Sequence, residues 1–563
     1  MFSKSREYRL FLPLEKIEKA KARKLESLEV PKHARDSAIP FLRANLSACL
    51  LLCCAILFLT ACRNTDREQG YLYYRLSTNP TTLDPALIVD VTGGLISTKL
   101  FNGLVKLDKD MKIIPDIAEG WTISKDGLIY RFTLKKGVKF SNGREVKARD
   151  FKYSFERVLN KKTRSPNTWV LERIYGAGDL MKGIDRDLKG VRVINDYTLE
   201  IRLDKAFSPF LYLLTMTAAY VVPEEEVNRW GPDFSSHPVG TGPFILKEWL
   251  PNRELILARR DDYFDQKAVV KAIVYRIIPE DLTAITEFEL GNIDIISIPA
   301  SDYKRFNTDP FWKGQIRSLK GINTYYLGMN CSRTPFNNPA LRKAINLAID
   351  REKILNTYYE GRGRTASGPV PDNLRKWKSP VAYGYDPGIA KEIIKREGLT
   401  GLTINFYVTA DQEVIDIAEI IQSYLKKVGL NVKIKQLEWS AFKEAINRGE
   451  PDMFWLSWWA DYPDPENFLF PLFHSSNIGP AGNRTRYSNK DVDRLIELAG
   501  RSRDEKIRWE YYERAERVIV EEAPWVFFWH KTDYVLIQPW IKNFTVYPIY
   551  SMDKGTEIWI DRL

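Results

Sequence analysis

Met453-Phe-Trp-Leu-Ser-Trp-Trp459-Ala-Asp461-Tyr-Pro-Asp-Pro-Glu-Asn-Phe-Leu-Phe470 sets three tryptophans, a tyrosine and three carboxylates in eighteen residues. Apart from Ser457, 453–459 is apolar and aromatic, the length of a buried strand and too short for an independent helix. Pro463 and Pro465 stop regular structure just beyond it. Asp461 therefore stands where a strand ends and a stiff turn begins. A carboxylate walled by indoles is poorly solvated and needs a cation beside it, from the protein or from a ligand. The other reading is local: Asp461, Asp464 and Glu466 cap a turn, a role aspartate favours. Both stand on the chemistry of the stretch alone.

Working outward, helical and strand patterns alternate over 387–398, 402–408, 413–429, 431–436, 440–448 and 453–459. Such alternation implies parallel strands joined by right-handed crossovers, hence an α/β lobe. Asp461 then leaves the carboxyl end of one of those strands, where ligands of open α/β sheets bind. Further back, 339–350 reads as an amphipathic helix and 93–107 as another. In 146–159 the residues Val146, Phe151, Phe155, Val158 and Leu159 share a helical face. The stretches 129–134 and 197–203 alternate as strands. The segments 525–530 and 534–537 are strand-like and need a partner sheet, so the chain returns to its first domain. Gly240-Thr-Gly242-Pro-Phe244 begins like a dinucleotide fingerprint, but it lacks the third glycine and reads as a packing turn.

The chain of 563 residues carries a net charge of +11. Residues 1–61 hold 11 Lys/Arg against 6 Asp/Glu, a surplus of five that leaves six to all the rest. No basic run is long enough to follow a phosphate backbone, which excludes nucleic acid as the expected partner. The 15 Trp, 28 Tyr and 27 Phe suggest a protein that covers something with flat apolar faces. An apolar run of 16 residues from Leu46 to Ala61 follows the basic region. It is shorter than the roughly 20 residues of a spanning helix and fits the core of a signal peptide. It ends in Leu59-Thr60-Ala61-Cys62, which resembles the lipobox of bacterial lipoproteins, with Cys62 as the lipidated residue. Cys331 is the single cysteine beyond Cys62, so the exported body has no internal disulfide. Neither a zinc-holding spacing nor a Cys/His nucleophile pair occurs, and no cofactor, metal or catalytic residue is expected.

Thr82-Leu-Asp-Pro85, Phe101-Asn-Gly-Leu104, Ala118-Glu-Gly-Trp121, the Asp150 to Leu159 helix, the Gly240 loop, the 339–350 helix and Ala460-Asp-Tyr-Pro-Asp-Pro465 occur in that order. With the lipobox they resemble the bacterial extracellular solute-binding proteins of oligopeptide and dipeptide ABC importers, over residue 70 to the end. The resemblance implies an α/β two-lobed periplasmic-binding-protein clamshell with an extra domain and mixed sheets. Discontinuous domain I takes 62–92, 191–324 and 524–563. Domain II takes 93–190, and domain III, the α/β lobe, 325–523, with residues 1–61 as signal region. It also implies hinge crossings near 323–327 and 522–525.

The same resemblance implies that Asp461 pairs with a ligand ammonium while Ser457, Trp458 and Trp459 offer backbone to it, and that Val89, Asp90 and Val91 face them. Relatives' arginines for the ligand carboxylate are absent here, Trp455 standing at one such position. Arg362 and Arg364 remain by elimination. The implied protein is a monomer, exported to the cell envelope, held to a membrane through Cys62 and delivering peptide to an ABC permease. A non-peptide solute, whether sugar, opine or metal complex, is the alternative on the same fold. A hydrolase using Asp461, Asp464 and Glu466 is disfavoured, because those carboxylates share one proline-stiffened turn rather than separate strands.

Overall fold

The computed structural model describes residues 67–562, so the apolar run and Cys62 lie outside it. Twelve strands form one long mixed sheet. Its α/β end holds Asn431–Leu437, Thr403–Thr409 and Met453–Trp459, followed by Asn323–Met329. The first pair is parallel from Thr403↔Asn431 to Thr409↔Leu437. Thr403–Thr409 also runs parallel to Met453–Trp459, but the two pair only at Phe406↔Met453 and Tyr407↔Phe454. The alternating pattern thus gives the parallel strands expected of it, and the fourth neighbour, Asn323–Met329, is antiparallel. Met453 and Trp455 enter one core with the helices Pro339–Ala348 and Gln412–Lys427, while Phe454 enters the core on the other face with Trp439–Arg448 and Glu505–Glu522. Burial on both faces is why this strand reads as an unbroken apolar run.

The 13-residue strand Trp525–Ile537 joins the two ends of the sheet. Its first half pairs with Asn323–Met329 and Gly363–Thr365. Its second half pairs with Ile316–Lys320 and Ile295–Ser297, beyond which lie Tyr71–Leu76, Ala272–Ile277, Glu254–Arg259 and Phe244–Leu250. The two segments expected near the carboxyl end are one strand, whose partners change between Lys531 and Thr532. The second crossing therefore falls there rather than at 522–525, and residues 525–531 pair within the α/β lobe. At the crossing, buried Asn323 replaces ladder bonds with its own amide: Lys531 N–H donates to Oδ1 at 2.7 Å, and Nδ2 donates to the Lys531 carbonyl at 3.3 Å.

A separate four-stranded antiparallel sheet contains Ala118–Ile123, Ile129–Leu134, Thr198–Arg202 and Val191–Asn195. Tyr130↔Ile201 and Val191↔Ile201 bind the last two strands into it, so a boundary at 190 cuts this sheet. Helix Ala148–Leu159 packs on it through Phe151, Phe155, Val158 and Leu159, as the spacing predicts. The helix expected over 93–107 is shorter, Val91–Leu100. It ends where Asn102 turns inward to donate to Asp116 Oδ1 at 2.9 Å.

The glycine loop is a packing turn. A Cβ on Gly242 would stand 2.2 Å from the Lys99 carbonyl oxygen, and one on Gly240 2.1 Å from that of Leu100. Backbone on both sides cannot yield, so Gly242→Ala is expected to cost about 3 kcal/mol in urea denaturation. Gly178→Ala, on helix Ala177–Lys182 with open space at its Cβ, should be neutral or slightly stabilising.

Candidate ligand-binding site

Met453–Trp459 pairs with Asn323–Met329 along its whole length, from Asn323↔Trp459 to Met329↔Met453. On the other side it has a partner only at Met453 and Phe454. The opposite edge of Trp455 to Trp459 is therefore without a strand partner among the described residues, and an extended ligand can add there. Ser457 and Trp459 share a face with Tyr325, whose ring meets Trp459 edge-on at 6.5 Å. Trp459 is 43% exposed. Trp458 points to the other face, where its indole N–H is buried without a hydrogen-bond partner among the described residues.

Asp461 follows directly. Its N–H donates to Asn467 Oδ1 at 2.9 Å, and Asn467 Nδ2 donates weakly to its carboxylate at 3.3 Å. Among the described residues it has no ion-pair partner. Asp461 is exposed to solvent. The protein packed close behind it still pushes its carboxyl up to about 6, against the smaller opposing effect of Asn467. An ammonium held there would supply the missing charge.

Its two neighbouring acids are already engaged. Asp464 accepts from the Glu466 N–H at 2.9 Å and pairs with Arg508 at 2.5 Å, both partners buried. Glu466, on helix Glu466–Phe473, accepts from the Tyr462 hydroxyl. Burial pushes its carboxyl up to about 7, with Arg173, 3.9 Å away, opposing. Tyr462 inserts into the core beside the small sheet and stacks on Tyr212 at 6.5 Å. The turn is thus bolted in place, and Asp461 is its one acid with neither an ion pair nor a hydroxyl.

Asp90 and Asp461 both act on Tyr550, whose phenol is pushed up to about 12 by burial first and by Asp461 and Asp90 after it. Asp90 itself caps helix Val91–Leu100, accepting from the Gly93 N–H at 2.7 Å and from the Thr81 hydroxyl. Val89 and Val91 are 67% and 70% exposed. Sequence reasoning missed Tyr550 because its surroundings carry no pattern. The one signal was Gly94, where a Cβ would stand 2.6 Å from the Tyr550 ring.

The two arginines lie elsewhere. Arg362 is buried, donates to the Tyr359 carbonyl at 3.0 Å and lies over the Tyr303 and Tyr359 rings. Arg364 pairs across strands with His530, and His530 touches Thr324, the cross-strand partner of Trp458. It therefore stands on the face opposite Ser457 and Trp459, 3.6 Å from Asp372. Its Nη atoms are buried and make no hydrogen bond among the described residues.

Two lobes joined through a shared strand, with a free strand edge and an uncompensated carboxylate facing the other lobe, define an α/β clamshell binding protein. Residues 112–480 match the family described as Bacterial extracellular solute-binding proteins, family 5 Middle, and the chain belongs to that family. It is 29% identical over 549 residues to Heme-binding protein A of Haemophilus influenzae, covering 91% of this chain and 99% of that one. It is 28% identical to the Periplasmic murein peptide-binding protein MppA of Escherichia coli, covering 85% and 91%. Among solved structures, DppA from Helicobacter pylori in complex with the peptide STSA aligns with a TM-score of 0.73 at 27% identity, over 88% of this chain and 98% of that one. HbpA2 from Haemophilus parasuis aligns with a TM-score of 0.75 at 27% identity, over 87% and 99%.

Proposed function

We propose that this chain captures peptides between its lobes and delivers them to an ABC importer, held to a membrane through lipidated Cys62. The observation that carries the reading is Asp461, a solvent-reachable carboxylate with no ion-pair partner among the described residues, beside a strand edge without a partner. A peptide's α-ammonium satisfies the first and its backbone the second. Backbone pairing does not read side chains, so this geometry tolerates varied sequences while the charge fixes register. Trp459 walls the site, Trp458 offers it backbone, and Asp90 with Val91 and Tyr550 close it from the opposite lobe. The names of the relatives agree, the murein peptide-binding protein and the peptide-bound DppA above all.

One relative, Heme-binding protein A, favours one alternative by name, a haem-type ligand. Mass spectrometry of small molecules that co-purify with the protein separates them. Peptides with a free amino terminus are expected; haem, a sugar or a chelate without peptide would overturn the proposal.

The site also predicts a pH dependence. Binding of a free-amine peptide should weaken as pH falls through about 6, because protonated Asp461 no longer offers a charge. In the ligand-free protein the sign reverses. A carboxyl raised above its unfolded value contributes stability at low pH that is lost as pH rises through about 6. Titration calorimetry at pH 5 and pH 7.5, with an amino-acetylated peptide as control, checks the first statement. Equal affinities for the free-amine peptide at both values would refute it.

A further inference from the structure

One end of the long sheet lies where the chain enters the body. Tyr71–Leu76 runs parallel to Ile295–Ser297 at Tyr74↔Ile295, and Ile295 faces Ile537 on an antiparallel strand. The carboxyl end of Trp525–Ile537 therefore shares that end of the sheet with Tyr71. The pair Ile316↔Leu536 brings Gly314 and Gln315 to the same end. Here 314–317 and 537–544 enclose a pocket of about 300 Å³. Its lining holds two cations, Arg317 and Lys542, and no acid.

Both cations are held in place without being neutralised. Arg317 Nη1 donates to the carbonyls of Gly314 at 3.0 Å and Ile316 at 3.1 Å. Lys542 Nζ donates to the carbonyl of Pro539 at 2.9 Å. Neither has a carboxylate within 4.0 Å among the described residues, and each keeps donors to spare. Asp309, just before the turn, is taken up by the N–H groups of Phe311 at 2.8 Å and Trp312 at 3.1 Å. Exposed Lys313 adds a further cation. Two rings stand out beside them. Phe311, 59% exposed, precedes the turn, and Trp559, 41% exposed, is the cross-strand partner of Lys542. Cations with free donors beside an exposed indole and phenyl ring are the chemistry of a surface that meets phosphate headgroups and the apolar boundary beneath them. The position agrees with this, since the chain from Cys62 to Gly70 spans no more than about 30 Å. A lipid on Cys62 keeps this end of the sheet near the bilayer.

We propose that this face rests on an anionic bilayer, with a lipid phosphate taken between Arg317 and Lys542 and with Phe311 and Trp559 at the headgroup boundary. The body is thereby held in one orientation on the membrane. The inference rests on the reading of Cys62 as lipidated and is independent of the ligand. Its test is hydrogen exchange of the lipidated protein in vesicles of phosphatidylcholine alone, or of phosphatidylcholine and phosphatidylglycerol in equal parts. Amides of 311–317 and 540–544 should exchange about fivefold or more slower in the mixed vesicles, the effect of one cation at an anionic surface. The double variant Arg317→Gln, Lys542→Gln should lose this difference, while its exchange elsewhere matches the wild type and shows the fold intact. Lys506→Gln, which removes an exposed cation of the α/β lobe, should keep it. Equal exchange in the two kinds of vesicle, a difference that persists in the double variant, or the same protection from inorganic phosphate in phosphatidylcholine vesicles would each overturn the inference. In those outcomes the protein still floats with the vesicles and the anchor stands. Protein that shows an unmodified Cys62 by mass spectrometry and stays behind when the vesicles float would overturn the anchor, and this inference with it.

Discussion

Asp461→Ala should lower affinity for a free-amine peptide by about 2 kcal/mol or more, roughly thirtyfold, with little loss of folding stability. Asp461 is exposed in the ligand-free protein, and its carboxylate accepts only the weak contact from Asn467 among the described residues. A ligand ammonium therefore meets an acceptor with no competing cation, and the bound ligand itself would cover the pair from the water that screens it. Removing the carboxylate leaves the ligand's charge desolvated and unmatched, which is why the loss should exceed that of an exposed ion pair. Asp461→Asn isolates the charge, because it keeps the shape and leaves the backbone bond to Asn467 intact. Calorimetry with free and acetylated versions of one peptide reads the effect. The variant should bind the acetylated form about as well as the wild type does. Unchanged affinity for the free amine would make Asp461 a turn residue and nothing more.

Arg508→Met should destabilise the ligand-free protein by about 3–5 kcal/mol, the cost of stranding a buried charge. Arg508 and Asp464 are 8% and 1% exposed, and the pair ties helix Glu505–Glu522 to the turn that carries Asp461. The substitution leaves the Asp464 carboxylate in the core with the Glu466 N–H as its remaining donor. The double variant Asp464→Asn, Arg508→Met should recover a large part of the loss, since no charge is then left behind. Urea denaturation of the single and double variants measures both quantities. A loss below about 1 kcal/mol in the single variant would mean that water reaches Asp464 and that the turn does not depend on this pair. Since the same turn positions Asp461, peptide affinity should fall along with stability.

Much of the α/β lobe was legible in the chain. Strand Thr403–Thr409, helix Gln412–Lys427, strand Asn431–Leu437 and helix Trp439–Arg448 lie within one or two residues of the ranges read from periodicity. Each is set by local alternation and by Gly, Pro or Asp at its ends. The position of Asp461 was legible for the same reason, because two prolines fix where Met453–Trp459 must stop. The capping role of Asp90 was not legible. The resemblance places this residue towards the ligand, and the structure adds that its side chain is the N-cap of Val91–Leu100. The domain edges at 190 and 523 missed the pairings Tyr130↔Ile201 and Arg364↔His530, which join strands far apart in the chain.

The sequence by itself determined the alternating lobe, the strand that ends at Trp459 and the acid that follows it, since each depends on neighbours within a few residues. Only the tertiary structure decided that Asp461 is the acid of this turn left without an ion pair among the described residues. Asp464 and Glu466 are drawn away by Arg508, Arg173 and Tyr462 acting from elements that the turn meets after folding. It also decided which face Arg364 takes. Its pairing with His530 and the alternation of side chains across a sheet put it on Trp458's face, away from Ser457 and Trp459.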